Sequence, residues 1–220
     1  MQTYLQQFSS EMAALSTQTL RSLVQVRRGG RGIGSGGVWR SDGWIVTNAH
    51  VVTDWGGRGN RQGRIADDLK IGLADGRELP GRVIALDAEN DLAAVQVDAQ
   101  NLPAFALGDS QSLQPGQMVW ALGFPWGIHG GATIGTVIGV GSRVGDLDSG
   151  GRDLLAASLH LRPGHSGGPM VDAQGRLVGI NSMMNGPDVG IAVPISIAKR
   201  FFDEVEQKLR AAQSSNVTYV

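Results

Sequence analysis

The sequence predicts an all-β fold in which two packed antiparallel barrels are flanked by a short helix at each end. Short β-rich segments, separated by glycine, aspartate or asparagine, fill residues 22–98 and residues 117–194. Glycine makes up 33 of the 220 residues, roughly twice its usual share of about 7%, which indicates tight turns and close backbone contacts. No long helical segment separates the strands, so parallel βαβ crossovers are disfavoured. A single all-β unit also fits a chain of this length.

An amphipathic helix is predicted over residues 1–21, the first segment of the chain. Its apolar side chains recur at helical spacing, at Tyr4, Phe8, Met12 and Leu15. Such a face packs either on its own domain or on a neighbouring subunit, and both alternatives stay open at this point.

The first β-rich region is expected to form one barrel over residues 22–112. Its strand-like segments read, in order, SLVQVRR, GGVWR, WIVTN, LKIGLA, RVIALD and LAAVQV. Between them, residues 54–67 (DWGGRGNRQGRIAD) are rich in glycine and arginine, a composition typical of an exposed loop.

The second β-rich region is expected to form the other barrel over residues 113–195. Its strand-like segments read MVWALG, ATIGTVIGVGSRV, LLAASL, PMVD, RLVGINSM and VGIAVP. Helical spacing then returns, because Ile197, Phe201, Val205 and Leu209 are four residues apart. A C-terminal helix is therefore predicted over residues 196–213, and residues 214–220 are left as a tail.

Composition excludes several kinds of partner and site. The formal net charge of -1, with no aromatic residues among the arginine clusters, gives no reason to expect a nucleic acid partner. The absence of cysteine excludes disulfides, thiolate metal sites and a cysteine nucleophile. No apolar run approaches the roughly 20 residues of a membrane span. The first residues do not resemble a signal peptide, so the chain is cytosolic or its targeting segment lies outside this sequence.

A candidate nucleophile is Ser166, within the segment Gly-His-Ser-Gly-Gly-Pro that begins at Gly164. A nucleophilic serine needs a sharp turn that exposes its hydroxyl, and nearby N–H groups that bind a developing oxyanion. Glycines around the serine permit both. The pattern alone also fits the nucleophile elbow of an α/β-hydrolase or a glycine-rich structural turn.

The order of residues along the chain favours one alternative. An α/β-hydrolase has its histidine after the serine, whereas all four histidines of this chain precede Ser166. The order histidine, aspartate, serine is available, because His50 follows the apolar strand at residues 44–46 and Asp91 opens another strand. Either residue alone is typical of a structural role. Their combination, in one β-rich region, with a serine in the other indicates a catalytic triad.

Three segments carry a family resemblance: TNAHVV, NDLAAVQV and RPGHSGGPMVDAQGRLVGINS. They resemble the chymotrypsin-like serine proteases, and within them the HtrA/Deg branch, with a likeness that extends over residues 22–209. The resemblance implies two perpendicular six-stranded β-barrels with an active site in the cleft between them. It also implies an endopeptidase of protein quality control that cleaves unfolded or extended polypeptides through an acyl-enzyme, with no metal or organic cofactor.

Residue by residue, the resemblance implies that Ser166 is the nucleophile, His50 the general base and Asp91 the carboxylate that orients the base. The N–H groups of Gly164 and Ser166 would form the oxyanion hole. The segment 178–183 would pair with the substrate as an added strand. The substrate-binding residues expected from this segment and from the pocket are His160, Ile180, Asn181, Ser182 and Met183.

Two histidines depart from the family pattern. His165 stands where this branch usually has asparagine, and a role in loop hydrogen bonding or in pH sensing is expected. His160, six residues before Ser166, would lie at the base of the primary specificity pocket or point elsewhere as a strand residue. Two histidines without a third ligand do not predict a metal site. Residues 144–153 and 183–188 match loops that switch relatives between inactive and active forms.

The resemblance further implies association and location. Relatives form trimers through their N-terminal segments, with Tyr4 and Phe8 as candidate contacts, and act outside the cytoplasm. The 220 residues hold no PDZ domain, so either the protease unit stands alone here or the natural protein lacks one. Two rival functions stay open. One is a catalytically silent or resting binding module with a chaperone-like role, and the other is a capsid-type structural protein on a double barrel.

Overall fold

The computed structural model describes residues 3–54, 64–144 and 152–215. The predicted loops at residues 54–67 and 144–153 and the predicted tail at 214–220 lie largely outside these ranges. No helix within the described ranges is long and apolar enough to cross a membrane.

Helices occupy both ends of the described chain, as the periodicity predicts. Helix α1 (Tyr4–Leu20) begins at a capping box, in which Thr3 and Gln6 exchange side-chain-to-backbone hydrogen bonds. Helix α3 (Ile195–Ser215) follows directly on the last strand. A third, single-turn helix, α2 (Ala49–Val52), has no counterpart in the sequence prediction because four residues are too few for a periodic signal.

The first β-rich region forms an antiparallel sheet whose strand order, within the described residues, is β7-β6-β1-β2-β3-β9-β8. The edge strands β7 and β8 are separated only by Gly81 along the chain, so one bent segment pairs with both ends and the sheet curls. A separate short pair, β4 and β5, lies outside this sheet. The strand bounds are β1 Leu23–Arg28, β2 Arg31–Arg40, β3 Trp44–Thr47, β4 Thr53–Asp54, β5 Arg64–Ile65, β6 Lys70–Gly72, β7 Glu78–Pro80, β8 Arg82–Asp87 and β9 Leu92–Gln96.

The second β-rich region forms a closed antiparallel barrel in the described chain, with the order β10-β11-β12-β15-β14-β13. Closure leaves no unpaired edge around the ring, although individual strands extend beyond their partners. Its strands are β10 Met118–Gly123, β11 Gly131–Val140, β12 Leu155–Ser158, β13 Pro169–Asp172, β14 Leu177–Met184 and β15 Val189–Pro194.

The two β units share a hydrophobic core with α3. Buried side chains from the first sheet, such as Trp44, and from the barrel, such as Trp120, belong to one cluster. The helix completes it with Phe202, whose ring stacks on Trp39 at 4.2 Å between centroids. The predicted fold class is thus confirmed: the molecule is mostly β, with a closed six-stranded barrel. The first unit is a curled sheet of seven assigned strands, because Gly81 interrupts what is otherwise one strand.

Candidate active site

The candidate base, His50, lies in the single turn α2 at the end of β3. Its neighbours Ala49, Val51 and Val52 are buried, whereas the His50 side chain is 36% exposed. The apolar residues therefore anchor the turn and leave the imidazole facing the cleft. Asn48, at the start of the turn, donates from Nδ2 to the main-chain oxygen of Asp91 at 2.9 Å, which fixes the turn against the segment that carries the acid.

The candidate acid, Asp91, is presented by a tight turn before β9. Asp87 accepts hydrogen bonds from the main-chain N–H groups of Glu89 (3.1 Å) and Asn90 (3.0 Å), which stabilises this turn. Asp91 itself has φ of +56°, a left-handed conformation that costs energy for a non-glycine residue and is enriched at functional sites.

The carboxylate of Asp91 collects hydrogen bonds from both β units. His50 Nδ1 lies 2.8 Å from Oδ2 and 3.0 Å from Oδ1, and the His50 main-chain N–H donates to Oδ1 at 3.0 Å. Ser182, on β14 of the barrel, donates from Oγ to Oδ2 at 2.6 Å. Because a carboxylate only accepts, Nδ1 carries the proton and the Nε2 lone pair is free to act as a base.

These contacts keep Asp91 ionised although it is buried. Burial raises the pKa of Asp91, but the hydrogen bonds and charge of His50 and the hydroxyl of Ser182 lower it, and the net pKa lies below the usual aspartate value. An ionised carboxylate at this position holds the imidazole in one tautomer and stabilises its protonated form.

The candidate nucleophile, Ser166, lies in the connection between β12 and β13. Its Oγ donates to the main-chain oxygen of Ser182 at 3.1 Å. Among the described residues no hydrogen bond joins Ser166 Oγ to His50. The structure therefore brings the three predicted residues together around Ser182, which bonds to both Asp91 and Ser166, with the histidine and aspartate directly paired and the serine hydroxyl turned toward β14.

Two main-chain N–H groups beside Ser166 have no partner within the described chain: those of Gly164 and Ser166 itself. The oxygen of Pro163 accepts from Trp126 N–H at 3.1 Å, and the oxygen of His165 accepts from Gly168 N–H at 2.9 Å. Because N–H and C=O of a trans peptide point in opposite directions, these two bonds turn the N–H groups of Gly164 and Ser166 the other way. Free N–H groups beside a serine hydroxyl are the elements of an oxyanion hole.

Glycine is required at two positions of this turn. Gly164 has φ of +103°, and a Cβ there would lie 2.2 Å from the Phe124 main-chain oxygen. Gly167 has φ of +80°, and a Cβ there would lie 2.1 Å from Thr47 Oγ1. Any larger residue would both strain the backbone and clash, so the glycines around the serine serve the geometry of the turn.

His165 takes the loop hydrogen-bonding position. The residue is 1% exposed. Its ring Nδ1 accepts from the Arg162 main-chain N–H at 3.0 Å, and the main-chain N–H of His165 donates to Arg162 O at 2.9 Å. Burial is the largest cause that lowers the pKa of His165. The buried ring therefore packs inside the turn that carries Ser166 and bonds to its main chain.

The other two candidate pocket residues, His160 and Met183, are both partly exposed. The ring of His160 is half exposed, and its Nδ1 lies 2.8 Å from the oxygen of Pro187, which ties it to the loop after β14. Met183 is 46% exposed and borders a small depression together with Asp91 and Arg152. Their part in substrate selection stays a prediction.

Ile180 and Asn181 lie where a substrate chain cannot pair with them. Ile180 is fully buried and pairs with strands on both sides. The main chain of Asn181 exchanges hydrogen bonds with Gly167 and Gly168, and its side chain donates to Pro169 O at 2.9 Å. Of the segment 178–183, the part whose main chain is left unpaired by β13 and by the turn of Ser166 begins at Ser182, and substrate pairing along the segment stays a prediction.

No group of three or more histidine, cysteine, aspartate or glutamate side chains in the described ranges is placed to hold a metal ion. The chemistry of the cleft is that of a serine hydroxyl, an imidazole and a carboxylate.

A family model described as "Trypsin-like peptidase domain" matches residues 34–180. The chain belongs to this family. The matched range contains His50, Asp91 and Ser166, and it spans both β units.

Curated proteins that are similar to this chain are named as serine proteases, several of them DegP-like. "Putative serine protease HhoB" of Synechocystis sp. is 35% identical over 183 residues, which cover 81% of this chain and 41% of the relative. "Probable periplasmic serine endoprotease DegP-like" of Halomonas elongata is 35% identical over 184 residues, or 80% of this chain and 35% of the relative. The chain thus spans well under half the length of these relatives.

Solved structures of the family have the same architecture. "HtrA-type protease AlgW with decapeptide" superposes with a TM-score of 0.75 at 25% identity and covers 89% of this chain and 67% of that one. "HtrA-type protease AlgW with tripeptide" gives a TM-score of 0.75 at 28% identity, with 88% and 62% covered. The resemblance stated from sequence segments is therefore confirmed.

The structure adds polar contacts that the sequence did not reveal. The hydroxyl of Ser182 bonds to Asp91, whereas the sequence predicted only a substrate contact for this residue. The side chain of Asn48 holds the turn of Asp91. No periodicity or spacing signals these roles, because each depends on which strands meet in the fold.

Proposed function

We propose that this chain is a serine endopeptidase that uses Ser166, His50 and Asp91 as a catalytic triad. The observation that carries the proposal is the pairing of His50 Nδ1 with the buried Asp91 carboxylate at 2.8 Å, in the cleft that also holds Ser166. Membership of the trypsin-like peptidase family and the names of the HtrA/Deg relatives support it.

The mechanism begins when Ser166 Oγ attacks the carbonyl carbon of the scissile peptide while His50 Nε2 takes its proton. The carbonyl π electrons move to oxygen, where the N–H groups of Gly164 and Ser166 bind the negative charge. Collapse of this intermediate breaks the C–N bond, and the imidazolium gives its proton to the leaving amine. Water, deprotonated by His50, then attacks the ester on Ser166 and releases the acid product.

Substrate binding is proposed to occur along β14. Its pairing with β13 ends at Ile180, so the same edge from Ser182 onward carries no strand among the described residues. An extended polypeptide can add there as an antiparallel strand, with main-chain hydrogen bonds that do not depend on sequence. This favours unfolded or extended polypeptides, with His160 and Met183 proposed as influences on side-chain selection.

Substrate binding along β14 is also proposed to release the Ser166 hydroxyl from its hydrogen bond to Ser182 O. In this structure the hydroxyl donates to Ser182 O, the first acceptor on the open edge. A substrate N–H that bonds to Ser182 O competes for that acceptor and leaves the hydroxyl free to turn toward His50 Nε2. The same observation favours the second candidate function, a resting or catalytically silent module that binds polypeptides without cleaving them.

A homotrimer and an extracytoplasmic location are also proposed, on the basis of the resemblance to the HtrA/Deg proteases. Tyr4 and Leu5 of α1 are 93% and 80% exposed, and Phe8 is 45% exposed, so these side chains can form contacts between copies in a homotrimer. Relatives are named periplasmic, which supports an extracytoplasmic place of action. A monomeric mass by light scattering would remove the trimer, and recovery in the cytoplasmic fraction would remove the location.

The test of the function compares the wild type with Ser166→Ala on an unfolded casein substrate. Loss of a triad nucleophile removes about 10⁴- to 10⁶-fold of the rate, so cleavage should fall to background in the variant. Equal cleavage by both proteins would reveal a contaminating protease. If neither cleaves, labelling of the wild type by a serine-directed fluorophosphonate distinguishes a resting enzyme, which is labelled at Ser166, from a silent fold, which is not.

A further inference from the structure

Ser35 is a buried serine of the first sheet whose hydrogen bonds reach across to the barrel. It lies in β2 and is 0% exposed. Its Oγ donates to Gly164 O at 2.6 Å, and its main-chain N–H donates to Ser166 O at 2.8 Å. One residue of the first unit thus holds two carbonyl groups of the turn that carries the candidate nucleophile.

The hydroxyl of Ser35 also joins this turn to the end of β10. The main-chain N–H of Phe124 is shared between Ser35 Oγ at 3.0 Å and Gly164 O at 3.1 Å. Gly164 O therefore has two donors, of which the hydroxyl is the shorter contact. Without the hydroxyl, Gly164 O would keep only the shared N–H of Phe124.

Gly164 needs such support because its backbone has no side chain to hold it. Its φ of +103° lies in a region that L residues avoid. The peptide before Gly164 is held by Trp126, through the bond to Pro163 O, and the peptide after it is held by Ser35. The N–H of Gly164, one of the two free donors, is therefore fixed from both sides.

We propose that Ser35 is a positioning residue that clamps the oxyanion-binding turn from the neighbouring β unit. The inference rests on the proposed function, because an oxyanion hole matters only where Ser166 attacks a carbonyl. Ser35 touches no reacting atom. Its hydroxyl holds Gly164 O and its main-chain N–H holds Ser166 O, and the N–H groups of these two residues bind the charge that develops in the transition state.

The competing explanation is that Ser35 only stabilises the packing of the two β units and has no effect on the oxyanion-binding turn. A matched control is Ser110, which is also 0% exposed and bonds to the Ser196 hydroxyl and N–H at 3.3 Å each. Its described contacts do not include the oxyanion-binding turn or the triad. Ser110→Ala therefore removes a buried serine hydroxyl without removing the clamp.

The experiment measures kcat, KM and inhibitor affinity for the wild type, Ser35→Ala and Ser110→Ala. A peptidyl boronate, which becomes tetrahedral on Ser166, reports the oxyanion hole, and a product-like peptide reports ground-state binding. Removal of a direct oxyanion donor costs about 10²- to 10³-fold in kcat, so an indirect clamp should cost roughly 10- to 100-fold. Ser35→Ala should lose that factor in kcat and in boronate affinity, with KM and peptide affinity changed by less than about 2-fold.

Parallel losses in Ser35→Ala and Ser110→Ala, or an unchanged boronate affinity in a folded Ser35→Ala, would overturn the proposal. Amide hydrogen exchange at Phe124 and Trp126, whose N–H groups bond to the Ser35 hydroxyl and to the carbonyl groups of the turn, gives a readout that does not need activity, and it should accelerate in Ser35→Ala but not in Ser110→Ala. If the wild type shows no Ser166-dependent cleavage, the proposed function fails while the exchange still tests the clamp. If Ser35→Ala does not fold, Ser35→Cys, of similar size but a weak donor, takes its place with the same criteria.

Discussion

The two β units contribute to the candidate active site in different ways. In the first sheet, His50 and Asp91 are held by side-chain hydrogen bonds that converge on one buried carboxylate. In the barrel, Ser166 is held by the backbone of a glycine-rich turn, whose carbonyl groups are bonded to Trp126, Gly168 and the first sheet. The Asp91 carboxylate accepts from both His50 and Ser182, whereas in the described chain the N–H groups of Gly164 and Ser166 have no partner and the Ser166 hydroxyl is turned to Ser182.

This difference shows what each half is sensitive to. The acid–base half depends on a charge, because the ionised Asp91 fixes the tautomer of His50. The nucleophile half depends on conformation, because hydrogen bonds to the turn's carbonyl groups set the directions of the two N–H groups that lack a partner in the described chain. A substitution in the first half should therefore act by changing the tautomer or charge of His50. A substitution in the second half should act by changing the conformation of the turn that carries Ser166, or the pH range over which that conformation is stable.

The largest expected effect on kcat comes from removal of the negative charge of Asp91. Asp91→Asn keeps the size of the side chain but removes the carboxylate that accepts from His50 Nδ1. The amide can stabilise the wrong histidine tautomer, and kcat should fall by about 10⁴-fold at neutral pH. Steady-state kinetics on a peptide substrate measures this change.

The matched control is Asp87→Asn, which alters the turn before Asp91 without touching His50. It should retain most of the activity if its turn still forms. An Asp91→Asn variant that remains folded and keeps more than about a tenth of the wild-type kcat would show that His50 does not depend on the charge of Asp91. The proposed difference between the two halves would then be wrong.

The parts of the site that depend on residue identity could be predicted from the sequence. His50, Asp91 and Ser166 were predicted as a triad because each has a reactive side chain and the three occur in a recognisable order, and the structure brings them close together. The alternation of strands and turns also predicted both β units and the terminal helices. Such features are local in the chain, so a single sequence records them.

The parts that depend on which segments meet could not be predicted. Ser182 and Ser35 are ordinary strand serines until the fold places one beside Asp91 and the other beside Gly164. Ile180 and Asn181 were expected to meet the substrate, but pairing and turn contacts occupy their main chains. The division of one bent strand at Gly81 likewise follows from its two partners, not from its composition.

A smaller effect, in the nucleophile half, concerns pH. His165 Nδ1 must be unprotonated to accept from Arg162 N–H, and protonation would place a charge in a buried site beside Arg162 and near His160. Since burial lowers the pKa of His165, its neutral form stabilises the fold above the ordinary histidine pKa of about 6.5. This stabilisation is lost as the pH falls from that value through the lower pKa of the folded protein.

The variant His165→Asn tests this directly, because its amide oxygen can accept from Arg162 N–H at every pH. We expect kcat/KM at pH 7.5 within about 3-fold of the wild type, since one neutral hydrogen bond replaces another of similar strength. As the pH falls through the lowered pKa of His165, log kcat/KM of the wild type should fall more steeply than that of His165→Asn, by up to about one additional unit per pH unit, because the wild type binds one more proton at this turn. The melting temperature of the wild type should also fall more steeply than that of His165→Asn as the pH is lowered.

The control is His129→Asn, at an exposed histidine, which should behave as the wild type. If kcat/KM falls in the same way at acid pH in all three proteins, the conformation of the turn does not depend on the charge of His165.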